Sequence, residues 1–276
     1  MRYKIVVFDI GKTLLDKRFS QKISEQTLID IKALKQKGIK VGVCTMRTVQ
    51  HCREIIPFEL DFYICLNGSY IICDGNIVFD SPIHYLHNTN EYLSYGADFA
   101  FYSNEAAKQK ALSNRFLIDK CGIANPMYNL VLFDIAKERL ADFSSFNIEY
   151  WENTQTIALQ SANSSKSLGI QRVLDYYKLD DSILYFGDGP NDLPIFQKFK
   201  DCICMGDCYP NLIEYSLFQT KSCMEDGVSY ALRKLEILYI HRLYHLNIIN
   251  LESFNCESSW SSLFLFSSTA LSLCFW

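Results

Sequence analysis

The sequence predicts an α/β protein: a parallel sheet with helices on both faces, interrupted by an inserted α+β segment. Three observations predict it. Short apolar runs rich in β-branched residues alternate with stretches of helical periodicity, the pattern of strand–helix–strand crossovers. That pattern lapses between residues 83 and 163, where the texture turns aromatic and irregular, and resumes at 164. Polar and acidic residues close several of the apolar runs, at the strand ends where α/β sheets bind ligands.

The elements follow in order. "YKIVVFD" (3–9) is apolar throughout and reads as a fully buried strand. Residues 21–37 read as a helix with Leu28, Ile31 and Leu34 on one face and Gly38 at its stop. "IKVGVCT" (39–45) is a second strand, "RTVQHCREII" (47–56) a second helix and "FYICLNG" (62–68) a third strand. Asp74-Gly75-Asn76 between two apolar runs is a strong hairpin signal. After the insertion, "SSKSLGIQRVLDYYKL" (164–179) is expected to turn Leu168, Val173, Leu174 and Tyr177 inward. "SILYFGD" (182–188) is a buried strand ending in an acid, and "DLPIFQKF" (192–199) opens a helix with Pro194 in its first turn. "DCICMGD" (201–207) is expected to be the last core strand. Within the insertion, Tyr85, Tyr92, Tyr95, Phe99, Phe101 and Tyr102 are expected to form a small core of its own rather than a substrate-stacking surface.

Composition narrows the function. The 276 residues are 49% hydrophobic, enough for one large domain or two modest ones. The net charge is −4 and basic residues are not clustered, which argues against nucleic acid as a partner. Eleven cysteines are scattered without a C-x-x-C. Cys202, Cys204 and Cys208 read as reduced, packed thiols rather than a metal site. "MRYKIVVFD" leads directly into the first strand without a secretory leader, so the cytoplasm is the expected compartment. Residues 239–276 fit none of this. Their last 19 residues, Ser258 to Trp276, carry no charge. A bilayer core takes about 20 apolar residues, however, and the serines dilute this run, so a peripheral appendage or an altered 3′ end is favoured over a membrane anchor. His241 and His245 lie four apart with no acid or cysteine nearby, and read as part of a mixed helix face. Oligomeric state is not legible.

The chemistry concentrates at the carboxyl ends of the predicted parallel strands. Asp9 ends the first and Thr45 the second. Asp188 and Asp192 lie around the glycines of "GDGPND", and Lys166 opens the helix after the insertion. Three carboxylates at close range repel unless a cation joins them, and hard oxygen ligands suit Mg²⁺. A lysine and a hydroxyl suit a phosphate, and a carboxylate beside that phosphate can attack it.

These segments resemble the haloacid dehalogenase (HAD) superfamily, and within it the Cof-like, type IIB phosphatases. The family's first motif, apolar-apolar-F-D-x-D-G-T-L, is matched by "VVFDIGKTLL". A strand-ending Thr, often in T-G-R, is matched by "CTMR". The lysine after the cap is matched in "SSKSLGIQRVL", and G-D-G-x-N-D by "GDGPND". "LNGSYI", "CMGDCYPNLIEYS" and "EDGVSYAL" resemble further family segments, although Asp207 replaces an Asn. The resemblance covers roughly residues 1–236. It implies a Rossmann-like core from residues 1–82 and 164–238, an α+β cap over 83–163 that selects the substrate, and an atypical tail from 239. It also implies a Mg²⁺-dependent phosphatase of a small phosphorylated metabolite that works through an aspartyl-phosphate. Asp9 would be the nucleophile and a metal ligand, with the Gly11 carbonyl and Asp188 as further ligands. Asp192 would bind the metal directly or orient its water and Lys166. Thr45, Arg47, Lys166 and Asn191 would contact the phosphorylated substrate.

One departure matters. The family's second Asp, which protonates the leaving group and then activates water, is replaced by Gly11, and the following glycine by Lys12. General acid–base catalysis is worth about 10²–10⁴-fold, whereas phosphoryl transfer rests mostly on positioning and electrostatics. A slowed phosphatase is therefore expected, most impaired on sugar phosphates. The alternative is a catalytically impaired relative that binds a phosphorylated ligand or partner. Asp16, seven positions after Asp9, is a candidate substitute acid, against its plainer reading as an exposed loop residue. Lys12 is expected to face solvent.

Overall fold

The computed structural model describes residues 2–16, 18, 20, 22–84 and 90–238, and the statements below concern those residues. Tyr85, His241, His245 and the tail from 239 lie outside them.

An eight-stranded sheet carries the parallel pattern. Its strands are β1 (Ile5–Phe8), β2 (Lys40–Cys44), β3 (Phe62–Cys65), β4 (Tyr70–Cys73) and β5 (Asn76–Asp80). A second sheet of six strands follows in the chain: β6 (Tyr92–Tyr95), β7 (Ala100–Tyr102), β8 (Lys120–Cys121), β9 (Asn129–Leu132), β10 (Phe146–Trp151) and β11 (Thr156–Ser161). The chain then returns to the first sheet with β12 (Ile183–Gly187), β13 (Cys202–Cys204) and β14 (Phe218–Gln219). The first sheet runs β14-β13-β12-β1-β2-β3-β4-β5, and the second β10-β11-β9-β6-β7-β8. From β14 to β3 every neighbour is parallel. The hairpin β3–β4–β5 adds an antiparallel edge, turning at Asp74 (φ 47°) and Gly75 (φ 80°). Positive φ at both central residues is what a tight type I′ hairpin requires.

Helices cover both faces of the large sheet. They are α1 (Glu25–Gln36), α2 (Val49–Ile55), α4 (Lys166–Tyr177), α5 (Leu193–Lys198) and α6 (Gly227–Lys234), while α3 (Glu105–Ser113) belongs to the stretch that forms the second sheet. Alternation along β1 divides the core. Val6 and Phe8 pack with Ile31 and Leu34 of α1, whereas Ile5 and Val7 pack with Ile170, Val173 and Leu174 of α4 and Phe196 of α5. The all-apolar "IVVF" is thus explained by burial on both sides.

Several expectations need correction. The first helix starts at Glu25 rather than 21, because the Ser24 side chain accepts the Thr27 N–H and caps it there. Leu168 is 43% exposed. The inward face of α4 is Ile170, Val173, Leu174 and Tyr177, spaced at i, i+3, i+4 and i+7, and Leu168 falls outside that stripe. β13 is not the last strand, since the short β14 pairs beyond it. The small sheet is packed mainly by aliphatic residues such as Leu130, Leu132, Ile157 and Leu159. Tyr92 and Phe101 sit at that core's margin, Tyr95 packs into the main core, and Phe99 is exposed with Lys120 over its ring. Cys202 and Cys204 are buried free thiols. No helix among the described residues is long and apolar enough to cross a membrane.

Candidate active site

β12, β1 and β2 lie side by side and parallel, so their carboxyl ends meet at one edge. Register aligns Phe8 with Phe186 and with Val43. Asp9 therefore follows β1 next to Asp188 beyond β12, and Thr45 follows β2 at the same edge. The Asp9 N–H donates to the Phe186 carbonyl at 2.9 Å, which fixes the acid's backbone to the ladder.

Lys166 reaches this edge from α4. Its position depends on the loop after β3, where Asn67 (φ 53°) and Gly68 (φ 89°) are left-handed. A Cβ on Gly68 would meet the Ser165 carbonyl oxygen at 2.3 Å, so only glycine lets the loop press against the residue preceding Lys166. Ser165 caps α4 by accepting the Leu168 N–H. The Lys166 ammonium then donates to Asp9 Oδ1 and Asp192 Oδ1, each at 2.7 Å. Asp192 is fully buried and also accepts from the Tyr185 hydroxyl at 2.7 Å and from the backbone N–H groups of Asp188 and Gly189 at 3.0 Å. Thr13, fully buried, donates to Asp188 Oδ1 at 3.4 Å.

Oxygens of Asp9, Asp188 and Asp192 lie within 4.8 Å of one another. The Lys166 ammonium lies among these three carboxylates, and burial and mutual repulsion shift the protonation of the acids. Burial raises the Asp9 carboxyl, with Lys166 opposing and Asp192 reinforcing. Burial, then Asp9 and Asp192, pushes Asp188 up to about 8. Burial would lower the Lys166 ammonium, but Asp192 and Asp9 outweigh it and hold it well above the usual range.

Thr45 is buried, its hydroxyl accepting the Arg47 N–H at 3.3 Å. Arg47 is half-buried, its Nη1 has no hydrogen-bond partner among the described residues, and its guanidinium feels the charge of Asp9. Asn191 lines a cavity of about 320 Å³ beside Lys166. Gly11 leaves a gap, since a Cβ there would stand 3.8 Å from Asp9 Oδ2. Asp16 does not fill it. It is buried and ion-paired with Arg18, whose Nε donates to both its oxygens at 2.9 Å. That bond holds its carboxyl below the usual range, so Asp16 is neither an exposed loop residue nor a proton donor.

Lys12 is exposed, with φ 56° where the resembled motif has glycine. A Cβ in this region costs roughly 1 kcal/mol. Lys12→Gly is expected to raise stability by about 0.5–1 kcal/mol in urea unfolding.

Thr13, Tyr185, Asn67 and Glu149 also belong to the site, and sequence reasoning singled out none of them. Glu149, on β10, accepts from Asn67 Nδ2 at 2.9 Å and lines the same cavity as Lys166. Thr13 stood inside a recognised motif and was the most findable.

The model of the haloacid dehalogenase-like hydrolases matches residues 6–232. A Bacillus subtilis protein named "Putative phosphatase YkrA" is 25% identical over 261 residues, covering 86% of this chain and all of that protein. Two solved structures share the fold. BT1666 from Bacteroides thetaiotaomicron, a phosphatase of the HAD superfamily, superposes with a TM-score of 0.72 at 19% identity, covering 86% of this chain and 96% of that one. The HAD subclass IIB sugar phosphatase BT4131 gives 0.67 at 19% identity over 85% of this chain and all of that one. With its acid-lined sheet edge and a family match across most of its length, the chain belongs to the haloacid dehalogenase-like hydrolases and is a phosphoric monoester hydrolase of that family.

Proposed function

We propose that the protein is a Mg²⁺-dependent phosphatase of a small phosphorylated metabolite, with Asp9 as nucleophile. The observation that carries this reading is the Lys166 ammonium held between Asp9 and Asp192 at 2.7 Å from each. Fixing Asp9 Oδ1 leaves Oδ2 as the attacking oxygen. The Asp9 Oδ2–P bond forms as the P–O bond to the leaving group breaks. Water then attacks phosphorus, frees the Asp9 carboxylate and releases inorganic phosphate. Lys166, Thr45, Arg47 and Asn191 hold the phosphoryl group. Residues 83–163 act as a cap over a core of 1–82 and 164–238.

The residues fit Mg²⁺: the donors are hard oxygens, and Asp188 is short of positive charge. Asp9, Asp188 and the Gly11 carbonyl would hold the ion, which offsets charge on the phosphoryl oxygens. Asp192, whose oxygens already accept four bonds, orients Lys166.

The test is release of nitrophenol from p-nitrophenyl phosphate with and without Mg²⁺, with mass spectrometry for phosphate on Asp9. Turnover that needs the metal supports the reading. An inert protein that still binds the metal would favour the ligand-binding alternative, which the bare Gly11 backbone motivates.

Metal binding should also be pH-dependent. The metal-free fold keeps the Asp188 proton up to about 8, whereas the unfolded chain releases it near an ordinary carboxylate pKa. The metal-free protein therefore loses stability from this group as pH rises from about 4 to about 8. Below about 8 a proton competes with the cation. At fixed Mg²⁺ the rise in Tm should be larger at about pH 8.5 than at about pH 6.5. A scanning-fluorimetry series at both pH values checks this.

A further inference from the structure

We propose that Glu149 is the general acid of this site, delivering to the leaving group the proton that residue 11 cannot supply. The inference rests on the phosphatase reading above and concerns a residue of the second sheet, far in sequence from every motif.

Placement is the first argument. β10 is an edge strand of its sheet, with Glu149 opposite Ala158. Alternation sends Asn147, Glu149 and Trp151 to one face. The Asn147 amide donates to the Ser164 carbonyl, and Glu149 Oε2 accepts from Asn67. Both partners flank Lys166, Ser164 just before it in the chain and Asn67 in the loop pressed against Ser165. This face of β10 is therefore seated on the mouth of the Asp9–Lys166 site. Among the described residues, Glu149 is the one carboxyl lining the 320 Å³ cavity there.

Stereochemistry is the second argument. In phosphoryl transfer the attacking and departing oxygens lie on opposite sides of phosphorus. Asp9 attacks from the sheet edge, so the departing oxygen points away from the sheet, toward the small domain that carries Glu149. A proton donor belongs on that side.

Protonation state is the third. Desolvation in the cleft raises the Glu149 carboxyl to about 7, with Lys166 and the Asn67 amide opposing and Asp192 and Asp9 reinforcing. An acid poised near neutrality is suited to give up a proton and take one back. Asp16, the acid that follows Asp9 in the chain, is committed to Arg18.

The step balances. As Asp9 Oδ2 bonds to phosphorus, the electron pair of the breaking P–O bond passes to the ester oxygen, which takes the Glu149 proton and leaves as an alcohol. In the second half the Glu149 carboxylate accepts a proton from the attacking water. Inorganic phosphate departs, and both acids return to their starting states.

The experiment compares the full chain with Glu149→Gln, Gly11→Asp and the double variant, in Mg²⁺. Leaving-group release in the first turnover is followed on p-nitrophenyl phosphate, whose phenolate leaves readily unprotonated, and on glycerol 2-phosphate, whose alkoxide does not. Glu149→Gln should slow glycerol release by about 10²–10³-fold and nitrophenol release by less than about tenfold. The parent's glycerol rate should fall above about pH 7, and that break should vanish in Glu149→Gln. Gly11→Asp should restore at least about tenfold to the Gln variant on glycerol 2-phosphate. Equal losses on both esters, as a merely structural contact across the cleft would give, overturn the proposal, as does an unchanged glycerol rate. A parent silent on both esters overturns the phosphatase reading and this proposal together. A parent active on the aryl ester with equal losses overturns this proposal alone.

Discussion

Asp9→Asn is expected to lower kcat on p-nitrophenyl phosphate by at least about 10⁴-fold, with KM little changed. The substitution is isosteric, and the neutral amide can still accept from Lys166, so the phosphate-holding groups stay in place while the attacking oxygen is lost. What remains is the assistance that positioning and electrostatics give to direct attack by water, which is small when the covalent route is gone. The measurement is steady-state kinetics with a thermal melt alongside. The melt should show a folded protein, because Asn removes a desolvated charge as well as an ion pair. A variant that keeps more than about a hundredth of parental activity would show that Asp9 is not the nucleophile.

Lys166→Met is expected to have the largest effect on stability, about 3–5 kcal/mol in urea unfolding near pH 8. The ammonium is 3% exposed and is the cation hydrogen-bonded to both Asp9 and Asp192. Methionine fills the volume but leaves two carboxylates buried without it. Asp9, whose carboxyl burial already raises, can escape that cost by binding a proton, and its folded-state pKa rises further while its unfolded value does not. The penalty is therefore small near the unfolded pKa, at about pH 4, and grows as pH rises. The loss should shrink at about pH 5. An equal loss at both pH values would mean that side-chain packing, rather than charge, accounts for the defect. Activity should fall at least about 10²-fold at every pH, because transition-state charge on phosphorus loses a preorganised donor.

What could be read from the sequence follows the range of the interactions involved. β1, β2 and β12 are buried on both faces, so their apolar runs were visible locally, and the polar residues closing those runs located Asp9, Thr45 and Asp188. The turn at Asp74-Gly75 was visible because positive φ restricts residue choice. Leu168 was misplaced because the stripe of α4 was read with one residue outside its period. β14 is two residues long and has no periodicity to detect. Tyr185 looked like any apolar strand residue, although its hydroxyl serves Asp192. Glu149 was the hardest to see. In "FNIEYW" a polar residue at every second position normally marks the solvent face of an antiparallel strand. Only the docking of the second sheet against the first makes that face a wall of the site, and no local pattern encodes such a contact. Asp16 failed in the opposite direction, because its proximity to Asp9 in sequence suggested a role that the Arg18 guanidinium had already claimed.

The close approach of Gly68 to Ser165 bears on how this chain can drift over generations. A methyl group at 68 would have to push aside the backbone at the start of α4. The displaced helix would carry its first side chain with it, and misplacing a catalytic group by about 1 Å can cost about 10²-fold in rate. Alanine at this position would therefore pass as a conservative loop change in any inspection of the sequence and behave genetically as an active-site lesion. Residue 68 is thus closed to variation by a charge it never meets, and a screen for inactivating substitutions should recover it together with the acids.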